Sequence, residues 1–180
     1  LRTLLRQFEH TVGVNRFFVR LIADAGAHGA RVVRWLSASE ATERFEIGGE
    51  TRWLRPDGAA DIHLAGRLHR VYLEWDRGTV KLPDLVEKRR LYAAYYASLA
   101  RTGVPEANRP TTLLVTSSPL RESILYGATE AAVDEVKASP GYFFTTVDTL
   151  VGRVGPLAPV WRTPESHGRV SWCDSRGRSA

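Results

Sequence analysis

The sequence has no methionine among its 180 residues and a single cysteine, Cys173. One cysteine cannot form an internal disulfide, so a disulfide framework is excluded and a reducing, cytoplasmic setting is expected. Arginine or aspartate interrupts the apolar runs long before they reach the length of a membrane-spanning helix, which predicts no membrane partner. Without a methionine, Leu1 is not an ordinary initiator, and we expect the chain to be part of a longer protein.

The composition is that of a folded, basic protein. Hydrophobic residues make up 43% of the chain, enough for the core of one domain, and the formal charge is +5. A positive charge favours polyanionic partners such as nucleic acid. Glycine, proline, serine and arginine dominate from Gly152 onward. We therefore predict an α/β domain over residues 1–151 and a flexible basic tail over residues 152–180, in which Trp161 and Trp172 could dock back onto the domain.

Residues 71–79 combine the pattern of a buried strand with two carboxylates. Side chains alternate between the two faces of a strand. Glu74 and Asp76 therefore share one face, while Leu73 and Trp75 point to the other. A strand that only filled a core would not carry this acidic pair.

A further acidic residue, Asp57, lies at the entrance of the preceding predicted strand, residues 59–64. The short turn after Leu64 predicts an antiparallel hairpin, which would bring Asp57 near Glu74 or Asp76. Such an oxygen-rich cluster suits Mg²⁺ or Mn²⁺. The alternative is that Glu74 and Asp76 form the solvated face of a half-exposed strand and pair with neighbouring arginines.

The rest of the chain alternates helices and strands by the spacing of its apolar residues. The predicted helices are residues 2–10, 15–28 with Asn15 as N-cap, 82–101, 120–138 and 147–151. The other predicted strands are residues 31–36, 111–116 and 142–146, with a hairpin turning at Gly48 and Gly49; a helix over residues 39–46 is the competing interpretation of that hairpin. This order predicts a central mixed sheet flanked by helices.

In the helix predicted at residues 82–101, Lys88 falls among residues that face the sheet. The alternative is an amphipathic lysine whose stem covers the core edge while its head reaches water. Arg89 and Arg90 would extend a basic surface suited to phosphate contacts. Arg121 lies in the first turn of the next helix, at the edge where a phosphate would bind.

Several short motifs follow one another between residues 10 and 118. They are His10 with Asn15, Trp35 with Glu40, Pro56-Asp57-Gly58, the run Leu73-Glu74-Trp75-Asp76-Arg77-Gly78-Thr79, and Lys88 with Tyr92, Tyr95 and Tyr96. As an ordered set they resemble the replication-relaxation proteins of plasmids and conjugative elements. Members of that family usually carry a winged-helix segment before this domain. We expect that segment either to be missing or to lie outside the present chain.

The resemblance implies a PD-(D/E)XK restriction-endonuclease-like core. Asp57, Glu74 and Asp76 would then be metal ligands for Mg²⁺ or Mn²⁺ and, together with Lys88, the catalytic residues. The superfamily motif places a lysine two residues after the acidic residue, where this sequence has Asp76. In such nucleases the lysine can come from the neighbouring helix, and Lys88 is the candidate for that role.

Other polar residues are candidates for the same site. Arg77, Arg89 and Arg121 are predicted to contact nucleic-acid phosphates. Glu9 and His10 either approach the site, as an acidic residue of the first helix does in some nucleases of this fold, or are structural polar groups.

Two functions follow as hypotheses. The first is a DNA-associated protein of plasmid or mobile-element replication or transfer that nicks or cleaves DNA with a divalent metal. The second is a catalytically inactive nuclease-like module that binds DNA or replication and transfer proteins, which the aspartate in place of the motif lysine favours. A carboxylate-pair hydrolase acting on sugars is disfavoured by the basic charge and by the resemblance.

Overall fold

The structure, a computed structural model, describes residues 2–136 and 143–176. The helices are α1 (Arg2–Ala25), α2 (Leu82–Arg101), α3 (Pro119–Val136), α4 (Asp148–Val154) and α5 (Trp172–Arg176). The strands are β1 (Ala30–Ser37), β2 (Glu43–Ile47), β3 (Glu50–Leu54), β4 (Gly58–Leu64), β5 (Arg67–Asp76), β6 (Thr111–Thr116) and β7 (Phe143–Val147). Within the described ranges, no helix is both long and apolar enough to cross a membrane.

Five strands form one mixed sheet in the order β1-β4-β5-β6-β7. β1, β4 and β5 pair antiparallel, whereas β6 pairs parallel to β5 and β7 parallel to β6. β2 and β3 form a separate hairpin, as predicted, and not the competing helix. The predicted α/β architecture, a central mixed sheet flanked by helices, is confirmed.

The two faces of β5 separate two hydrophobic cores. Leu73 is fully buried in the core that includes α1 and the C-terminal segment, and Trp75 packs against the same core. Tyr72, on the opposite face, is buried against the tyrosines of α2. The alternation predicted for this strand is confirmed, so Glu74 and Asp76 face the α2 side.

The first helix is continuous, whereas the sequence predicted two helices with Asn15 as the N-cap of the second. Gly13 lies inside α1 and lets the helix approach the sheet, because a Cβ at this position would lie 2.2 Å from Nε1 of Trp75. A second close approach occurs further along, where a Cβ on Gly58 would lie 2.7 Å from the ring of Phe18. Packing on the sheet thus outweighs the weak helix propensity of glycine.

Residues 152–176 pack on the domain instead of forming the predicted flexible tail. Trp161 and Trp172 are fully buried, and both indole N–H groups donate to the carbonyl of Pro156, at 2.8 and 3.1 Å. Thr145 of β7 and Arg162 exchange two backbone hydrogen bonds, which covers the edge of the sheet. The docking predicted for the two tryptophans is confirmed. Their burial stabilises this segment against the domain, although its glycine- and proline-rich composition had suggested a flexible tail. The remainder of that tail, residues 177–180, and the predicted ends at Ala138 and Tyr142 lie outside the described residues.

A buried carboxylate anchors the C-terminal segment to α3. Glu122 is 2% exposed and accepts two hydrogen bonds from the guanidinium of Arg169, at 2.9 and 2.8 Å. Arg162 lies 4.0 Å from the same carboxylate. The fork geometry of arginine matches both carboxylate oxygens, so this pair fixes the segment against the helix.

Gly13→Ala is expected to destabilise the protein by about 1–3 kcal/mol, because the added methyl group overpacks against Trp75. The control is Gly127→Ala in α3, where an added Cβ meets nothing within 4 Å and removal of a helical glycine is expected to stabilise by about 0.5–1 kcal/mol. Urea unfolding measures both. Equal effects of the two substitutions would contradict the proposed close packing of α1.

Glu122→Ala is expected to lower the free energy of unfolding by about 1.5–3 kcal/mol, because it leaves the arginine side chains without their carboxylate. Glu165→Ala, at an exposed position of the same segment, is the matched control and is expected to change stability by less than about 0.5 kcal/mol. Chemical denaturation distinguishes the two. A Glu122→Ala protein as stable as the control would show that the pair does not anchor the segment.

Candidate active site at the end of the central sheet

The site lies where the pairing of β4 with β5 ends. The ladder begins at Gly58, opposite Leu73, so the last residues of β5 are paired only with β6. Asp57 closes this gap: its backbone N–H donates to the carbonyl of Leu73 at 2.9 Å, and its Oδ2 accepts the backbone N–H of Trp75 at 2.8 Å. The carboxylate of Asp57 is thereby held beside the end of β5 that carries Glu74.

A pocket of about 600 Å³ opens at this point, between α1, the end of β5 and α2. Its walls include Asp57, Glu74, Asp76, Lys88, Arg89 and His10. The four predicted catalytic residues, Asp57, Glu74, Asp76 and Lys88, therefore line one cavity. Their hydrogen-bond and ion-pair partners differ.

Glu74 is the most deeply buried acid of this pocket, at 4% exposure. The Lys88 ammonium pairs with its Oε2, and the Tyr92 hydroxyl donates to its Oε1 at 2.5 Å. Burial raises the pKa of Glu74 above its ordinary value, and the positive charge of Lys88 opposes that shift. Lys88 thus faces the sheet as predicted, and its charge compensates the buried carboxylate.

Asp57 is paired with His10 of α1. The Nε2 of His10 lies 3.2 Å from Oδ1 of Asp57. Burial alone would raise the pKa of Asp57, but the hydrogen bond from His10, the charge of Lys88 and the Trp75 N–H together lower it. The hydrogen bond to Asp57 raises the pKa of His10 against the effect of burial. Of the two alternatives for His10, the structure supports the one in which it approaches the site.

Asp76 points toward α3 and is fully engaged there. Arg121 donates to both of its oxygens, at 2.7 and 3.2 Å, and the Thr116 hydroxyl and Gly78 N–H donate to them as well. Among the described residues, no group of three or more histidine, cysteine or acidic side chains is arranged to hold a metal ion. Asp57 and Glu74 are therefore the carboxylates that remain on the α1 and α2 side of the pocket.

The residues predicted to contact nucleic acid are arranged differently from one another. Arg77 pairs with Glu9 at the rim, and Arg121 holds Asp76, so the nucleic-acid contacts of these two arginines stay predictions. Arg89 is 2% exposed, which corrects the expectation that it extends a basic surface. The spacing could have revealed this, because Arg89 follows Leu85 by four residues and so falls in the buried stripe of α2.

The protein is thus of the mixed α/β class, and it carries a buried carboxylate paired with a partly exposed lysine at the end of its central sheet. A sequence model of the replication-relaxation family matches residues 1–108, more than half of the chain, and the protein belongs to that family. The matched region carries Asp57, Glu74 and Lys88 but ends before β6 and Arg121. Comparison with curated proteins and with solved structures gives no match.

His10→Gln is expected to reduce stability more at pH 6 than at pH 9. The folded-state pKa of His10 is raised above 6.5, so its stabilising effect is fully present below about pH 6.5 and is lost as the pH rises through the folded value. The pKa of Asp57 is lowered, so that carboxylate stays ionised over this window. Thermal unfolding of the wild type and of His10→Gln at pH 6 and at pH 9 measures how much stability the substitution removes at each pH.

The control for this experiment is His63→Gln, which changes an exposed histidine of β4. Its effect on stability is expected to be the same at both pH values. A His10→Gln effect that is equally independent of pH would contradict the charged pairing with Asp57.

Proposed function

We propose that this protein is a divalent-metal-dependent phosphodiesterase that nicks or cleaves DNA during the replication or transfer of a plasmid or other mobile element. Membership in the replication-relaxation family indicates a role in plasmid or mobile-element replication, with DNA or replication proteins as partners. The observation that carries the catalytic proposal is the meeting of Asp57, Glu74 and Lys88 in one pocket at the end of the sheet.

The topology supports a PD-(D/E)XK-like core. One helix precedes three antiparallel strands, β1, β4 and β5, and α2 then leads to the parallel strand β6. Asp57 immediately precedes the second strand of this series, and Glu74 lies near the end of the third. Asp57 and Glu74 are two of the residues to which the sequence resemblance assigns metal binding.

The donor groups fit a hydrated magnesium or manganese ion. Mg²⁺ is commonly bound through one or two carboxylates and completes its shell with water and substrate phosphate, which matches the pair Asp57 and Glu74. Asp76 would act from outside this pair, because Arg121 and Thr116 already hold its oxygens. When bound, the metal would polarise the phosphate and lower the pKa of an attacking water.

The side chains of the pocket would supply orientation and charge. Hydrolysis joins a water oxygen to phosphorus while one P–O ester bond breaks, and the departing oxygen takes up a proton. The ammonium of Lys88 would stabilise the negative charge that develops on the phosphate. Tyr92 would keep Glu74 in place by its hydrogen bond to Oε1.

A second candidate function is a nuclease-like module that binds DNA or replication and transfer proteins without cutting. Two observations favour this function. Lys88 and Tyr92 already occupy both oxygens of Glu74, and Arg121 already pairs with Asp76. Each of these contacts would have to rearrange or coexist with a metal for catalysis to occur.

Nicking of supercoiled plasmid in the presence of Mg²⁺ or Mn²⁺ tests the proposal. Glu74→Gln and Lys88→Met are each expected to lower the nicking rate about 100-fold or more, because they remove a metal ligand and a charge that stabilises the transition state. Their matched controls are Lys81→Met, just before α2, and Glu87→Gln, within α2. Both side chains are exposed, and both variants are expected to retain full activity.

Circular dichroism establishes that each variant is folded before its activity is compared. A folded wild-type protein that shifts DNA in a gel but does not nick it would establish the binding module. Nicking that survives Glu74→Gln would mean that the chemistry occurs elsewhere.

A further inference from the structure

Arg89 stands out among the cations of the pocket because, within the described part of the chain, its guanidinium has no hydrogen-bond acceptor. Its side chain is 2% exposed and lines the cavity, yet its buried Nε–H has no hydrogen-bond partner. Across residues 2–136 and 143–176, no carboxylate forms an ion pair with it. Its guanidinium carbon lies 4.9 Å from the centre of the Tyr92 ring.

An arginine in this position is energetically unfavourable by itself. A guanidinium does not lose its proton in proteins, so it cannot adapt to burial by becoming neutral, as a lysine can. Burying a charge without hydrogen-bond partners is among the costliest arrangements in a folded protein. The ring of Tyr92 offers a partial compensation by cation–π attraction, but no oxygen.

The nearby carboxylates are already engaged. Glu74 is close enough for the charge of Arg89 to lower its pKa, but its oxygens accept hydrogen bonds from Lys88 and Tyr92. Asp76 is held by Arg121, and Asp57 by His10. The apolar side chains of Leu85 and Leu114 complete the wall around Arg89. The pocket is thus lined by a permanent positive charge, the guanidinium of Arg89, which has N–H donors without acceptors among the described residues.

We propose that Arg89 binds the phosphoryl oxygens of a nucleic-acid strand within this pocket. A phosphoryl group presents only acceptors and matches the planar fork of a guanidinium, and the basic charge of the chain favours polyanions. The identity of the ligand as nucleic acid rests on the proposed function, whereas the anion site itself requires no catalysis. The ligand would then supply the acceptor oxygens that the described part of the chain does not offer to this guanidinium.

The test uses the folded chain in EDTA, without metal, and follows thermal unfolding in the presence and absence of inorganic phosphate. Phosphate is expected to raise the melting temperature of the wild type, because a ligand that binds only the folded state stabilises it. Arg89→Met, which keeps the length of the side chain and removes the charge, is expected to melt at the same or a higher temperature without phosphate. It is also expected to lose the phosphate-dependent increase.

The matched control is Arg90→Met on the same helix, where the arginine is half-exposed and paired with Glu135. This variant is expected to keep the full phosphate-dependent increase. An increase that persists in Arg89→Met, that disappears equally in Arg90→Met, or that is missing in the wild type would overturn the proposal. If Arg89→Met does not fold, Arg89→Lys serves instead: it keeps the charge without the fork, and an undiminished phosphate effect would overturn the proposal.

A second arm identifies the source of the phosphoryl group. Short single-stranded oligonucleotides with either a 5′-phosphate or a 5′-hydroxyl are titrated in EDTA and followed by fluorescence anisotropy. Arg89→Met is expected to weaken binding about tenfold or more, as for the loss of a charge-assisted hydrogen bond. A loss confined to the 5′-phosphate form would assign a terminal phosphate, and an equal loss for both would assign a backbone diester. Unchanged affinity for both would overturn a nucleic-acid ligand, and because no cleavage is measured, this outcome is independent of whether the protein nicks DNA.

Discussion

The burial of the Glu74 carboxylate is the constraint on which the arrangement of the sheet and α2 depends. A charge at this depth requires partners for both oxygens, and α2 supplies them from Lys88 and Tyr92. These residues are four positions apart and therefore lie above one another on one face of the helix. Sliding or rotating α2 by one residue would leave Glu74 unpaired. The two contacts to this acidic side chain therefore constrain the position of the helix over the sheet, and with it the position of Arg89.

The opposite wall of the pocket depends on close approach of helix and sheet. Gly13 and Gly58 remove the two side-chain atoms that would separate α1 from the strands. That proximity brings His10 within 3.2 Å of the carboxylate of Asp57. The pocket is therefore assembled from elements distant in sequence, and it exists only when both helices are packed on the sheet.

Local sequence patterns predicted most of the helices and strands. The features that were predicted wrongly all involve contacts between residues that are distant in sequence. Alternation identified the two faces of β5, and the bounds predicted for α2 match the structure, because these features are encoded in neighbouring residues. Gly13 lies inside the continuous helix α1, where it packs against Trp75 of a distant strand, and Trp161 and Trp172 hold residues 152–176 in a core built from distant elements. That Asp57, Glu74 and Lys88 lie close together could be predicted from spacing and resemblance. The lack of a hydrogen-bond acceptor for Arg89 among the described residues could not be predicted from the sequence, because it depends on all the residues that surround this side chain in space.

The family match ends at residue 108, just before the strand that occupies the middle of the parallel part of the sheet. β6 begins at Thr111, lies between β5 and β7, and is buried along its whole length. A piece of chain that stopped at residue 108 would leave the backbone of β5 unpaired along the edge that carries Glu74, and would expose a long apolar strand edge prone to association. The residues matched by the family model therefore do not include the strand that pairs with β5 alongside Glu74, and the wall of the acidic pocket is completed by Leu114 of β6.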